Sequence, residues 1–191
     1  QWVKTLAANG FAGEVYAVNK NGGELAGRKI WPNLTSIPGP VDLVIVCIPR
    51  SAVIDLLRDC ARKKVKCVQF YTAGFSEAGE SEWAAAEGEM VRIAREGGFQ
   101  IIGPNCFGVY NPQYGIPYGP FNVKSQLGSV GLICQSGGIM GKVLEYGMCQ
   151  GLGFGKGASI GNASDLGAAD FLEYLTLDDE IKTIGLYLEG P

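Results

Sequence analysis

The residues best placed to do chemistry in this chain are short polar clusters that follow apolar runs. The clearest lies in GLICQSGGIMGKVL, residues 131–144, where an apolar strand crosses Gln135-Ser136-Gly137-Gly138 straight into a helix. A hydroxyl at Ser136 can accept a backbone N–H two or three residues on and so cap that helix. Gly137 and Gly138 leave the first-turn amides unshielded. Such an end binds anions through free N–H donors and the positive end of the helix dipole. The electrostatic share is about 0.3–1 kcal/mol, rising to about 2 when partly buried. Plain capping with tight helix–sheet packing would use the same residue types.

Other clusters share this placement. Glu189 ends the otherwise apolar TIGLYLEG, residues 183–190. A carboxylate there can hold an imidazole N–H from another segment and fix its tautomer, or it can be a solvated strand end. Asn105-Cys106 follows Gly103-Pro104. A cysteine nucleophile needs an activating base, and the chain contains no histidine, so a thiol lining a binding cleft is the better reading. Pro49-Arg50-Ser51, Thr72-Ala73-Gly74-Phe75 and Gly161 to Asp165 complete the set.

These clusters have a common origin in the elements that carry them. Strand-like runs cover 14–19, 41–48, 65–71, 99–102, 129–134, 154–160 and 183–188. Helical patterns cover 50–63, 81–97, 137–150 and 166–175. The alternation predicts open, mostly parallel sheets with helices on both sides, an α/β architecture. Ligands of such sheets collect at the carboxyl ends of the strands, where every cluster named above falls. Each βα turn also needs glycines and cap residues for its own sake, so it is the alignment of six along one edge that favours a ligand rim. Residues 111–128, rich in proline, glycine and aromatics, read as a linker between two α/β units.

Composition narrows the function classes. The 191 residues are 47% hydrophobic and 18% charged, which suits a packed core and excludes disorder. A net charge of −3 without a basic run gives no footprint for nucleic acid, and no apolar run approaches the roughly 20 residues of a membrane span. Six cysteines occur without a C-x-x-C pair. Cys47, Cys67 and Cys134 lie in strand-like runs and read as reduced core thiols of a cytoplasmic protein. Gln1 to Gly10 reads as the back half of an amphipathic helix, and the strand at 181–190 has no helix after it, so the chain reads as a fragment.

With these residues in view, the chain resembles the NDP-forming acyl-CoA synthetases, whose first two domains are similar to the α subunit of succinyl-CoA synthetase. The resemblance rests on residues 13–19 (GEVYAVN), 40–48, 73–79 (AGFSEAG), 102–108 (IGPNCFG), 135–138 (QSGG), 154–162 with Asp165, and 187–190 (YLEG), in order along essentially the whole chain. It implies a Rossmann-like CoA-binding domain over 1–121 and the first part of a flavodoxin-like, succinyl-CoA-ligase-type domain over 122–191. It implies a reaction that joins a small carboxylic acid to coenzyme A through an acyl phosphate and a phosphohistidine. Ser136, Gly137 and Gly138 would then cradle the phosphoryl group and Glu189 would orient the histidine. Pro49, Arg50, Thr72, Ala73 and Gly74 would hold the nucleotide end of CoA, and Asn105 and Cys106 would sit near its thiol.

The departures from the family pattern are specific. The glycine-rich phosphate turn would lie before Gln1 and the active histidine after Pro191. Lys20-Asn21 stands where Pro-Lys is usual, so Lys20 takes the phosphate-facing role only from a shifted position. ATP/ADP or GTP/GDP with Mg would bind to a β-like ATP-grasp domain or subunit outside this chain, in an oligomer pairing α-like and β-like parts. The competing reading is a non-catalytic acyl-CoA-binding module regulating an acetyltransferase. The retained Glu189 favours the ligase, because a regulator has no phosphohistidine to orient.

Overall fold

The computed structural model describes residues 1–121 and 126–190. Helix α1, Trp2–Ala8, ends where Asn9 and Gly10 close it, Gly10 at φ +76°. The chain then forms β1 (Ala17–Val18), β2 (Gly23–Leu25) and β3 (Arg28–Trp31), a sheet in the order β1-β3-β2. The run expected as a strand from 14 to 19 pairs only over Ala17–Val18, parallel to β3. The β2–β3 hairpin has no counterpart among the sequence expectations. Leu25 pairs with Arg28 across a two-residue loop, Ala26-Gly27, with φ of 52° and 73°. Positive φ at both loop positions is the signature of a type I′ turn, which matches the twist of its strands.

A second sheet holds β4 (Leu43–Val46), β5 (Cys67–Phe70) and β6 (Gln100–Ile102), all parallel, with helices α2 (Val53–Lys63) and α3 (Ser81–Gly97) as crossovers. The first turn after β4, Arg50–Ala52, is a 3-10 turn that leads into α2. Packing explains the helix faces: Val53, Leu57 and Cys60 of α2 and Met90, Ile93 and Ala94 of α3 share one core with Val44, Val46, Val68 and Phe70.

The third sheet runs β10-β8-β9-β7, from β7 (Gly108–Tyr110), β8 (Val130–Cys134), β9 (Phe154–Ser159) and β10 (Thr183–Tyr187). Its two faces are read directly from the period-two alternation of a strand. Leu132 and Cys134 of β8 pack under α4 (Gly137–Cys149) with Met140 and Leu144, while Ile133 packs on the other face with Leu175 of α5 (Ala168–Thr176). Strand β7 is antiparallel to β9, the exception to an otherwise parallel sheet.

Strand β7 precedes residue 111, so the crossing between the two α/β units begins ahead of the expected linker. Gln69, buried in β5, receives the Val109 N–H at 3.1 Å and donates to the Phe107 carbonyl at 3.0 Å. Gly108 passes over that amide at φ +77°, where any side chain would collide with it. The described part of the linker is anchored at Tyr118, which is 2% exposed, and at Pro120, whose carbonyl accepts Thr5 Oγ1 at 3.1 Å, while Tyr114, Phe121 and Leu127 are exposed. The expected boundary at 121/122 abuts residues 122–125, outside the described set.

Candidate functional site

The carboxyl end of β8 builds the first half of the site. Ser136 is extended and its hydroxyl accepts the Ile139 N–H at 3.4 Å, as a helix cap should. Among the described residues the N–H groups of Gly137 and Gly138 meet no acceptor. The two glycines differ in surroundings. A Cβ on Gly137 would lie 2.2 Å from the Phe107 ring, whereas one on Gly138 would have only Ser136 Oγ at 3.9 Å. Gly138 therefore faces open space, and Gly137 is the point where the helix start packs on an aromatic wall.

Glu189 arrives on the same edge. Strands β8 and β10 are parallel with Cys134 opposite Tyr187. Gln135 N–H donates to the Tyr187 carbonyl at 2.9 Å, and Glu189 N–H donates to Gln135 Oε1 at 2.8 Å. Both Glu189 and Gly138 are exposed. The loop after β9 joins them, since Gly161 N–H donates to the Gln135 carbonyl at 3.2 Å.

The first α/β unit supplies a second rim. Arg50 Nη1 donates to the Gly74 carbonyl at 2.5 Å, and its guanidinium stacks 3.9 Å over Trp83 and pairs with Glu80 at 3.7 Å. Gly74 has φ +95°, which calls for glycine, and a Cβ there would press on the movable end of Arg50 at 2.9 Å. Buried Thr72 donates its hydroxyl to the Ile48 carbonyl at 2.8 Å and accepts Asn105 N–H at its own carbonyl at 3.0 Å. Pro49, Arg50, Thr72, Ala73, Gly74 and Asn105 thus lie on contiguous loops. Lys20 stands apart at the end of β1, exposed, with no hydrogen bond or ion pair among the described residues.

Two thiol expectations change. Cys106 is 3% exposed, and its thiol donates to the Phe70 carbonyl at 3.4 Å. Burial pushes its pKa up to about 12, so the side chain packs the loop instead of lining a cleft. Cys47, expected in the core, is exposed, while Cys134 is buried and Cys67 is half-buried. All six cysteines are unpaired.

Phe107 is the residue that sequence reasoning passed over. Its ring lies 5.3 Å from those of Tyr71 and Tyr118 and 5.5 Å from Phe121. Its N–H donates to Ser159 Oγ at 3.2 Å, and the Tyr118 hydroxyl donates to the Gly137 carbonyl. The ring therefore connects the end of β5 to the start of α4. Its position directly after Asn105-Cys106 was the available signal.

Fold and site together define an α/β protein of two units, Rossmann-like then flavodoxin-like, each with a rim of loops at its strand ends. The chain belongs to a known family on this evidence: residues 1–112 match the CoA binding domain, and residues 127–191 match the succinyl-CoA ligase like flavodoxin domain. It is 40% identical over 178 residues to the acetate–CoA ligase (ADP-forming) II subunit alpha of Pyrococcus furiosus, covering 93% of this chain and 38% of that protein. It is 38% identical over 180 residues to the acetate–CoA ligase (ADP-forming) I of Archaeoglobus fulgidus, covering 94% of this chain and 26% of that protein. Its fold superposes with a TM-score of 0.92 on the dinucleotide forming acetyl-coenzyme A synthetase 1 of Ca. Korarchaeum cryptofilum, solved with phosphate and ADP, at 31% identity over 99% of this chain and 40% of that one. The chain thus spans well under half of these relatives.

Proposed function

We propose that this chain is the CoA-binding and ligase-like part of an acid–CoA ligase that forms ADP. The reaction converts a carboxylic acid, CoA and ATP into acyl-CoA, ADP and inorganic phosphate, in either direction, through an acyl phosphate and a phosphohistidine supplied outside this chain. The observation that carries this reading is the open amide end at Gly137 and Gly138 on the same strand edge as Glu189. The names of the relatives support ADP as the nucleotide product and acetate as the first acid to test. They also favour a ligase over a regulatory module of an acetyltransferase.

Within that reaction each residue has a task. Ser136, Gly137 and Gly138 donate to phosphoryl oxygens with amides that need no rearrangement, which is how a preorganised site stabilises developing charge. Glu189 accepts an imidazole N–H and holds the other ring nitrogen toward the phosphoryl group. Exposed Cys47 and Tyr71 follow the ends of β4 and β5, and Val18 ends β1 just ahead of Lys20; we assign these strand ends, with Lys20 and Arg50 as cations, to the long thiol arm and phosphates of CoA. Pro49, Arg50, Thr72, Ala73 and Gly74 hold the nucleotide end of CoA, and Asn105 holds the thiol end, with Cys106 packed beneath it. ATP and Mg belong to a β-like ATP-grasp part. We assign the units to 1–121 and 122–191, the assembly to an oligomer with that part, and the setting to the cytoplasm, where six unpaired thiols stay reduced.

The test uses the full-length protein with its nucleotide-binding part. ATP, acetate and CoA should yield acetyl-CoA and ADP, and calorimetry should detect CoA binding; absence of both would overturn the reading. Glu189→Gln should lower the phosphoenzyme level on incubation with ATP. A phosphoenzyme level equal to that of the parent would reject the role given to Glu189.

A further inference from the structure

Between the two rims lies a polar node that the mechanism above does not use. Glu87 of α3 is 8% exposed, although it sits in a helix whose other glutamates are mostly solvated. Its carboxylate accepts three donors: Ser76 N–H at 2.9 Å, Asn162 Nδ2 at 3.0 Å and the Ser164 hydroxyl. Asn162 Nδ2 also donates to Glu77 Oε2 at 2.6 Å and reaches Ser76 Oγ at 3.1 Å. Backbone bonds reinforce the node, from Asn162 N–H to the Pro104 carbonyl at 3.0 Å and from Ser164 N–H to the Gly103 carbonyl at 3.1 Å. Asp165 Oδ2 accepts the Ile101 N–H at 2.8 Å. Three loops, after β5, β6 and β9, are fastened to one another here.

We propose that Glu87 and Asn162 form a clamp that sets the spacing between the CoA rim on loop 72–77 and the phosphoryl rim on α4. The inference rests on the ligase reading. The loop after β9 touches both rims: Asn162 holds Ser76 and Glu77 on one side, and Gly161 holds Gln135, the neighbour of the Ser136 cap, on the other. The carboxylate is the acceptor on which donors from the loops after β5 and β9 converge. Glu87 is thus a positioning residue. It touches neither substrate, and it keeps the thiol end of one ligand in register with the phosphoryl site of the other reaction half. Small misplacements of reacting groups cost rate steeply.

The experiment separates two partial reactions in the full-length enzyme: phosphoenzyme formation from ATP, and CoA-dependent turnover with acetate. Glu87→Ala and Asn162→Ala should each lower CoA-dependent kcat/KM by about 10- to 100-fold while leaving phosphoenzyme formation within about twofold. The double variant should lose less than the product of the two single losses, because both singles remove the shared Glu87–Asn162 bond and loosen the same node. Glu87→Gln keeps the shape and one acceptor oxygen. It should give an intermediate loss and supplies the reading if Glu87→Ala fails to fold. Equal losses in both partial reactions, or additive single effects, would overturn the clamp while the ligase reading stands. A wild-type protein that makes neither phosphoenzyme nor acyl-CoA would remove the ligase reading and the clamp with it.

Discussion

Strands β5 and β8 each run into a loop of small residues, yet the two loops treat their backbone amides in opposite ways. After β5, three consecutive N–H groups already hold carboxylates: Gly74 and Phe75 donate to Glu77 at 2.5 and 3.1 Å, and Ser76 donates to Glu87 at 2.9 Å. After β8, the amides of Gly137 and Gly138 are open among the described residues. A row of backbone donors is an anion site in either case. The first row has been filled by the protein's own side chains and has become a structural joint, while the second remains available. Proximity to a strand end therefore does not distinguish a ligand site from a brace. The distinction lies in whether an internal carboxylate is within reach, two or three residues on in the case of Glu77.

The largest expected effect tests the open end. Gly137→Ala places a methyl 2.2 Å from the Phe107 ring. That ring is hemmed in by Tyr71, Tyr118 and Phe121 and has little room to turn. Urea unfolding should show a loss of about 1–3 kcal/mol for this overpacking. Gly138→Ala, with nothing nearer than 3.9 Å, should change stability by no more than about 0.5 kcal/mol. Equal stability of the two variants would mean that the aromatic wall yields, and that Gly137 is present for the ligand alone.

The filled end is tested by emptying it. Glu77→Ala removes the acceptor for Gly74, Phe75 and one Asn162 bond, and should cost about 1 kcal/mol because the side chain is exposed. It should also create a second phosphate-responsive set of amides, seen as phosphate-dependent NMR shifts at Gly74 and Phe75 that the parent protein lacks. The same comparison can be made with pH. Burial pushes the Glu77 carboxyl up, but the Asn162 amide and the backbone N–H groups of Gly74, its own residue and Phe75 outweigh it and hold the pKa below the ordinary 4.5. A lowered folded value means that the joint contributes fully above pH 4.5 and is lost as the pH falls through that lower value. The Gly74 amide should therefore shift only below pH 4.5, with no matching change at Gly137.

The legibility of this protein in its sequence follows the same division between local and long-range causes. Helix α3 has the expected bounds, 81–97, because Gly97-Gly98 supplies a local stop with Gly98 at φ +72°. Strands β8, β9 and β10 fall within a residue of the expected runs; β8, buried from Gly131 to Cys134, reads as the continuously apolar run of a strand covered on both faces, whereas β9 and the more exposed β10 follow from their apolar residues between turn signals. The β2–β3 hairpin escaped because its turn uses Ala26, where asparagine or aspartate would have announced it. Strand β7 escaped because it exists through the buried Gln69 amide and the β9 edge, which no local pattern contains. The strand-end rule placed Ser136, Gly138 and Glu189 at one end of the sheet, where β8 and β10 bring them together. It could not identify Glu87, which looks like one more solvated charge in an Ala/Glu-rich helix until Asn162 and Ser164 are brought to it from 75 and 77 residues away.

The smallest expected effect is the most diagnostic for the open end. The Ser136 hydroxyl caps α4 through a bond of 3.4 Å to the Ile139 N–H, long for an O···H–N contact. Ser136→Ala should therefore cost near the low limit for losing a cap, about 0.5 kcal/mol. A hydroxyl retained mainly as a cap would leave phosphoryl binding unchanged once that loss is allowed for. A hydroxyl retained for the ligand can rotate away from Ile139 and donate to a phosphoryl oxygen, adding a donor to those of Gly137 and Gly138. The variant would then bind phosphate more weakly by at least as much as it loses in stability. Measuring both quantities on Ser136→Ala separates helix capping from anion binding at the strand end where the protein left its amides free.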